Sequence, residues 1–360
     1  MRTVLKALAA VVVLALAYLA LWPVAVEPVA WNAPENPGYT GDYAPNERLA
    51  ALQFTDIGDH VGPEDADIGP DGKVYMATHG GDILRADVGG AAAGVFANTG
   101  GRPLGIEFGP DGTLYVADAY RRLVAVDRDG SVRLLAGETD DGSPILYADD
   151  VDVAPDGRVY FSDASTRFGA RETGSTLEAS VMDLVEHSAN GRVLVHDPET
   201  GGTRVFADGL TFANGIAVSP DGAHLMVVET GEYRVLRYDL AAPGAAPEVL
   251  LDNLPGFPDN INNAPGGAYW VGLVSPRNPV MDTLSDKPQL RRVIMRLPDA
   301  MKPAPTRHGF VLRMDEGGTV LETLQDPAGD YALTTGAVTA PDGTVIVTSL
   351  SEPRLGYLRR

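Results

Sequence analysis

The sequence predicts an all-β fold, a six-bladed β-propeller, preceded by one N-terminal transmembrane helix. Three observations lead there. A short apolar strand meets the same turn six times along the chain, at Pro70-Asp71-Gly72, Pro110-Asp111-Gly112, Pro155-Asp156-Gly157, Pro220-Asp221-Gly222, Pro265-Gly266-Gly267 and Pro341-Asp342-Gly343. Each turn is followed by a β-branched and aromatic run, such as Val74-Tyr75-Met76-Ala77 or Val345-Ile346-Val347-Thr348. In most units further strands follow, at the spacing of roughly 40–45 residues expected for a propeller blade of four strands. Proline fixes φ at the first turn position and glycine supplies φ > 0, so the repeat marks a hairpin for a physical reason.

The elements follow in chain order. Residues 7–26 are uncharged and mostly Ala, Val or Leu. They are long enough to cross a hydrocarbon core about 30 Å thick. Arg2 and Lys6 precede them and Glu27 follows, so the positive-inside rule puts residues 1–6 in the cytoplasm and the body outside. A cleaved signal peptide, leaving a secreted or periplasmic body, is the alternative. Residues 27–50, rich in Pro, Asn, Gly and Tyr, read as an extended linker. Residues 51–360 hold the six blades. The sixth runs out of chain after about three strands, and Leu52–Ile57 is the expected fourth, closing the ring and removing an exposed edge. Insertions at 166–190 and 275–307 both follow a second strand, so both belong on the same rim.

The net charge of −21 argues against nucleic-acid partners and against docking of the body on an anionic bilayer. With no cysteine, disulfides, thiolate metal sites and cysteine nucleophiles are excluded. There is no Gly-x-Ser-x-Gly elbow, zinc-protease motif, phosphate loop or dinucleotide fingerprint.

In a propeller the first strand of each blade lines the central channel. Six residues upstream of each turn proline stand Glu64, Leu104, Asp149, Asn214, Asp259 and Thr335. Glu64, Asp149, Asn214 and Asp259 are therefore expected to converge on one axis. Carboxylates gathered so closely raise one another's pKa unless a cation neutralises them. Oxygen ligands without histidine suit Ca²⁺ better than zinc or copper. Such an ion either ties the blades together or polarises a substrate oxygen. Asp65, Asp150 and Asn260 flank the ring, and His187 and His308 lie in or beside the insertions as candidate proton shuttles.

Several stretches resemble the strictosidine-synthase-like family: Arg102-Pro103-Leu104-Gly105-Ile106, Tyr160-Phe161-Ser162-Asp163-Ala164-Ser165, Phe212-Ala213-Asn214-Gly215 and Leu254-Pro255-Gly256-Phe257-Pro258-Asp259-Asn260. The resemblance spans about residues 45–358, and the type it is most similar to also carries a single N-terminal anchor. It places the chain in the gluconolactonase-like group of calcium-dependent six-bladed propellers. There a blade-one Glu, Asn residues of blades three and four and a blade-five Asp hold the catalytic calcium. Glu64, Asn214 and Asp259 match that set; Asp149 departs from it. The family's amine–aldehyde condensation uses a Glu at the start of blade six, where this chain has Thr334-Thr335-Gly336, so that reaction is not expected. The resemblance implies instead hydrolysis of a small ester or lactone, of arylesterase type, with Asp259 as base, nucleophile or ligand only. The alternative is a non-enzymatic ectodomain whose calcium rigidifies a binding platform.

Overall fold

Gly72, Gly112, Gly157, Gly222, Gly267 and Gly343 all hold positive φ, between 70° and 87°. Each closes the tight turn joining the first two strands of a sheet. The preceding aspartate secures five of these turns by accepting a main-chain amide two residues on, as Asp111 does from Thr113 at 2.9 Å and Asp342 from Thr344 at 2.9 Å. The computed structural model describes residues 1–360, apart from the side chain of residue 299. Its strands form six four-stranded sheets. The first strands, Ala66–Ile68, Pro103–Phe108, Ala148–Val153, Ala213–Val218, Gly256–Ala264 and Thr334–Thr339, touch one another in cyclic order and so surround a central channel. The fold is the six-bladed propeller. Gln53–Asp56 pairs with Arg354–Leu358 as the outer strand of blade six, so the first and last strands of the propeller seal the ring as anticipated.

The core lies between neighbouring blades. One cluster joins Met226, Val228 and Leu251 of blade four to Ile261, Val271 and Phe310 of blade five. At about 25 cal/mol per Å² of apolar surface, such contacts supply most of the drive for closing the ring.

Five α-helices stand outside the blades: α1 (Arg2–Leu21), α2 (Ala170–Thr173), α3 (Thr176–Glu186), α4 (Pro279–Thr283) and α5 (Pro288–Met295). The insertion helices begin where local chemistry dictates. Ser175 caps α3 by accepting from Glu178 N at 3.1 Å. Asn278 caps α4, and proline opens both α4 and α5. Arg291 donates to the carbonyl of Val185 at 2.8 Å, tying α5 to α3 and bringing both insertions to the same rim.

Helix α1 is apolar enough to cross a membrane, and none of its residues is buried against the body. It spans Arg2–Leu21 rather than 7–26, because Pro23 cannot continue a helix and holds Trp22 extended, at ψ 130°. The apolar residues beyond it turn onto the propeller, where Val26 is buried. Residues 27–50 have little regular structure and form a strap across the rim. Trp31 stacks on His187 at 4.0 Å and Tyr39 on His308 at 4.7 Å. Val29 N donates to Glu186 O at 2.8 Å.

Candidate functional site

Each inner strand from blade two onward breaks its register at the same level. The slips fall between Pro103 and Ile106, Ala148 and Val151, Ala213 and Ile216, Pro258 and Ile261, and Thr334 and Ala337. A bulge re-aims the side chains beside it. Leu104, Asp149, Asn214, Asp259 and Thr335 sit inside these slips, and Glu64 occupies the lead-in to blade one.

The structure brings Glu64, Leu104, Asp149, Asn214 and Asp259 to the wall of one cavity of about 450 Å³. Thr335 stands just behind, its hydroxyl donating to the carbonyl of Glu64. The four polar ring residues are 1–6% exposed. Burial, then repulsion from Asp259, Asp65 and Asp149, drives the Glu64 pKa well up. Asp149 rises through burial and then Asp259, against the pull of Arg102. Burial lifts Asp259 to about 7, opposed by a hydrogen bond from Asn214.

Oxygen atoms here lack partners. Glu64 Oε2, Asn214 Oδ1 and Asn260 Oδ1 are buried without a hydrogen bond, each at a typical cost of about 1–3 kcal/mol. Among the described residues no three His, Cys, Asp or Glu side chains form a ready metal-holding group. The set is a mixture of carboxylate and amide oxygens. Hard, orphaned oxygens beside mutually repelling carboxylates are the donor chemistry that Ca²⁺ accepts, and the residues fit such an ion.

The flanking residues serve the ring in different ways. Asn260 donates to Glu64 Oε1 at 3.1 Å and so orients it. Asp65 and Asp150 bind the next blade instead, accepting from Ile106 N at 2.9 Å and Ile216 N at 2.7 Å. Asp67 and Asp152 repeat the pattern two residues further in, on Phe108 N and Val218 N. These latches join blade one to two and blade three to four.

Sequence reasoning missed two cationic or basic groups in the cavity. Arg102 is 4% exposed, with Nη1 donating to Pro103 O at 2.8 Å and Nη2 unpartnered. Its guanidinium offsets the extra charge of Asp149. Three ring carboxylates and one guanidinium leave two negative charges, the complement of one divalent ion. His79 also lines the cavity, with Nε2 2.5 Å from Leu350 O. Burial and then Arg102 hold its pKa down at about 4, so the imidazole is neutral at pH 7. It follows a second strand, where no alignment on the turn proline would find it. Of the two histidines singled out, His187 lines the cavity and pairs with Glu232 at 2.8 Å. His308 is buried against Tyr39 and Gln325, and is not among the residues lining the cavity.

The upper wall is apolar. Leu177, Val181, Leu184 and Val185 of α3, Met281 of α4 and Ile294 and Met295 of α5 roof the cavity, with Tyr147, Phe212 and Phe257 below. The arrangement can hold an apolar molecule with one polar group directed at the ring.

The comparisons bear on the family and the fold. The strictosidine synthase profile matches residues 149–243, and the N-terminal profile of strictosidine synthase-like proteins matches 41–86. The chain is 34% identical to the adipocyte plasma membrane-associated protein of Salmo salar over 92% of this chain and 83% of that protein. The chain belongs to the strictosidine synthase-like family, in its adipocyte plasma membrane-associated branch. The Bos taurus member of that branch is 33% identical over 94% of this chain and 85% of its own length. Among solved structures, a gluconolactonase of Xanthomonas campestris superposes with a TM-score of 0.62 at 18% identity, over 94% of this chain and 99% of that one. Regucalcin of Agrobacterium tumefaciens, a calcium-binding protein, gives 0.59 at 16% identity, over 85% and 93%. At these identities the two structures speak for the shared fold alone. This strictosidine synthase-like chain thus carries its polar ring on a six-bladed propeller.

Proposed function

We propose that the chain is a calcium-dependent hydrolase of carboxylic esters or lactones, of arylesterase or lactonase type, held at a membrane by α1. The observation that carries this reading is the ring of Glu64, Asp149, Asn214 and Asp259 at the floor of an apolar, roofed cavity. Glu64, Asp149, Asn214 and Asp259 would hold the ion. When bound, calcium supplies a positive charge that polarises a substrate carbonyl. The chain's own groups do the rest. The apolar roof excludes water and seats the organic part of the substrate. Asp259 is the proposed acceptor of a proton from the attacking water, or the nucleophile itself. Neutral His79 stands on the same wall and adds no positive charge to oppose the ion. The gluconolactonase and regucalcin likenesses support a lactone-type substrate and a calcium ligand. Arg2 and Lys6 in the first turns of α1 support a cytoplasmic N-terminus with the propeller on the other side.

The deciding experiment is turnover of phenyl acetate and a γ-lactone by the purified chain, with calcium and with a chelator. Hydrolysis that disappears on chelation and returns with calcium, while the circular-dichroism spectrum is unchanged, is the expected result. No turnover under either condition, with the fold lost on chelation, would favour the binding platform. Asp259→Asn separates chemistry from ligation: turnover lost with calcium content kept assigns Asp259 a chemical role.

A further inference from the structure

The roof of the cavity is fastened to the end of the membrane helix. The last carbonyls of an α-helix have no partner within the helix. In α1 two of these groups are satisfied by one residue at the end of α5. Arg296 donates through Nε to Trp22 O at 2.6 Å and through Nη1 to Leu19 O at 2.9 Å. A cation there also faces the negative end of the helix dipole. The chain leaving α1 stays on the roof. Val24 shares one apolar cluster with Met281 and Met295, and those two methionines line the cavity. Arg167 Nη2 donates to Ala25 O at 3.2 Å, and Glu27 N to Glu186 Oε2, at the end of α3, at 2.7 Å. One layer of side chains therefore separates the end of α1 from the cavity.

None of the residues of α1 is buried against the body. A helix so apolar and so bare needs a hydrocarbon surround. Tyr18 and Trp22, with ring centroids 5.5 Å apart, sit at the end nearest the roof, at the level where aromatic residues meet headgroups. The roof helices then lie at the bilayer surface, and the apolar cavity opens beneath them.

Building on the hydrolase reading, we infer that the substrate is a lipophilic ester or lactone that partitions into the bilayer and enters the cavity through the roof formed by α3, α4 and α5. The alkyl portion rests against Leu177, Met281 and Met295, and the carbonyl points down to the ring. Water adds to the carbonyl carbon and the acyl C–O bond breaks. The alkoxide leaves with a proton, giving an acid and an alcohol, or one hydroxy acid from a lactone. The more water-soluble product is released from the interface.

The test uses the full chain in phosphatidylcholine vesicles with calcium and the p-nitrophenyl esters of acetate, butyrate, octanoate and decanoate, each rate divided by its rate with hydroxide. The expected result is a kcat/KM that climbs with acyl length, decanoate exceeding acetate at least tenfold. In Arg296→Ala the decanoate rate falls at least threefold while the acetate rate stays within twofold of the parent. A flat or falling length series with acetate still cleaved overturns the inference and leaves the hydrolase standing. Equal losses on acetate and decanoate in Arg296→Ala overturn entry through the tethered roof. Absence of turnover on every ester sinks the hydrolase reading, and the inference with it.

Discussion

At the scale of single residues, charge decides what the ring can hold. Asp149 adds a carboxylate where the resemblance leads one to expect an amide, and Arg102, buried beside it with Nη2 unpartnered, supplies the opposite charge. The two act as a pair, and removing one leaves the other uncompensated in a low-dielectric site. Asp149→Asn alone leaves Arg102 repelling a divalent ion, so calcium affinity is expected to drop at least tenfold, about 1.4 kcal/mol. Arg102→Gln alone leaves the three carboxylates opposed by nothing. The chelated protein then melts lower, while calcium binds more tightly. In the double variant affinity returns to within about threefold of the parent. Calorimetric calcium titration of the four proteins checks this. Equal, additive losses in both single variants would dissolve the pairing. The ring itself was legible because it recurs at a fixed distance from a fixed turn. Arg102 and His79 obey no such repeat, and only tertiary structure brings them in.

At the scale of elements, the inner strands come so close to one another that side chains are excluded at particular points. A Cβ on Gly215 would lie 2.5 Å from Asp259 O and 2.5 Å from Ile261 N. These are main-chain atoms of the neighbouring inner strand and cannot step aside. Gly215→Ala is expected to cost several kcal/mol, as overpacking in a tight core does (about 1–3 kcal/mol or more), and to disturb Asn214 and Asp259 together. Gly157, in a blade turn with φ 87°, has nothing within 4 Å of its would-be Cβ, so Gly157→Ala meets only backbone strain of about 1–2 kcal/mol. Scanning calorimetry should place Gly215→Ala below Gly157→Ala in Tm, with calcium binding lost only in the former. The reverse order would mean that the inner strands are not packed to contact. The same contrast explains what the sequence disclosed. The blade turns are local chemistry, so all six, the closing strand and both insertions could be placed in advance. The register slips and the strap of residues 27–50 depend on partners far away in the chain, whereas the end of α1 at Leu21 is set locally by Pro23. Trp31 on His187 and Arg296 on Trp22 leave no periodic trace.

At the scale of the whole molecule, the channel is an acidic column beyond its ring. Glu107, Asp67 and Asp152 line a second cavity of about 360 Å³ at a deeper level, with Asn262 and Asn263. Burial raises Asp67 and Asp152 to about 7 each, against the hydrogen bonds they accept from Phe108 N and Val218 N. Burial and then Asp67 and Asp152 push Glu107 well up. In the unfolded chain these groups ionise near 4. A carboxyl whose folded pKa is raised binds more protons in the folded state between its two pKa values. Stability therefore falls as pH climbs from about 4 to about 7, the full penalty being reached above 7. The histidines set the lower limit of the useful window. His79, held down at about 4, and His196 and His308, also lowered by burial, take up protons less readily in the fold than in the unfolded chain, and so favour unfolding once pH drops below their ordinary value of about 6.5. In the presence of chelator, Tm is accordingly expected to rise by a few degrees from pH 8 to pH 6.5 and to level off or decline below pH 6. Glu107→Gln removes one of the charges forced on the channel at high pH, so it should raise Tm at pH 8 and flatten the climb. A Tm that increases steadily from pH 6.5 to 8 in chelator would show that these carboxylates ionise freely within the folded channel.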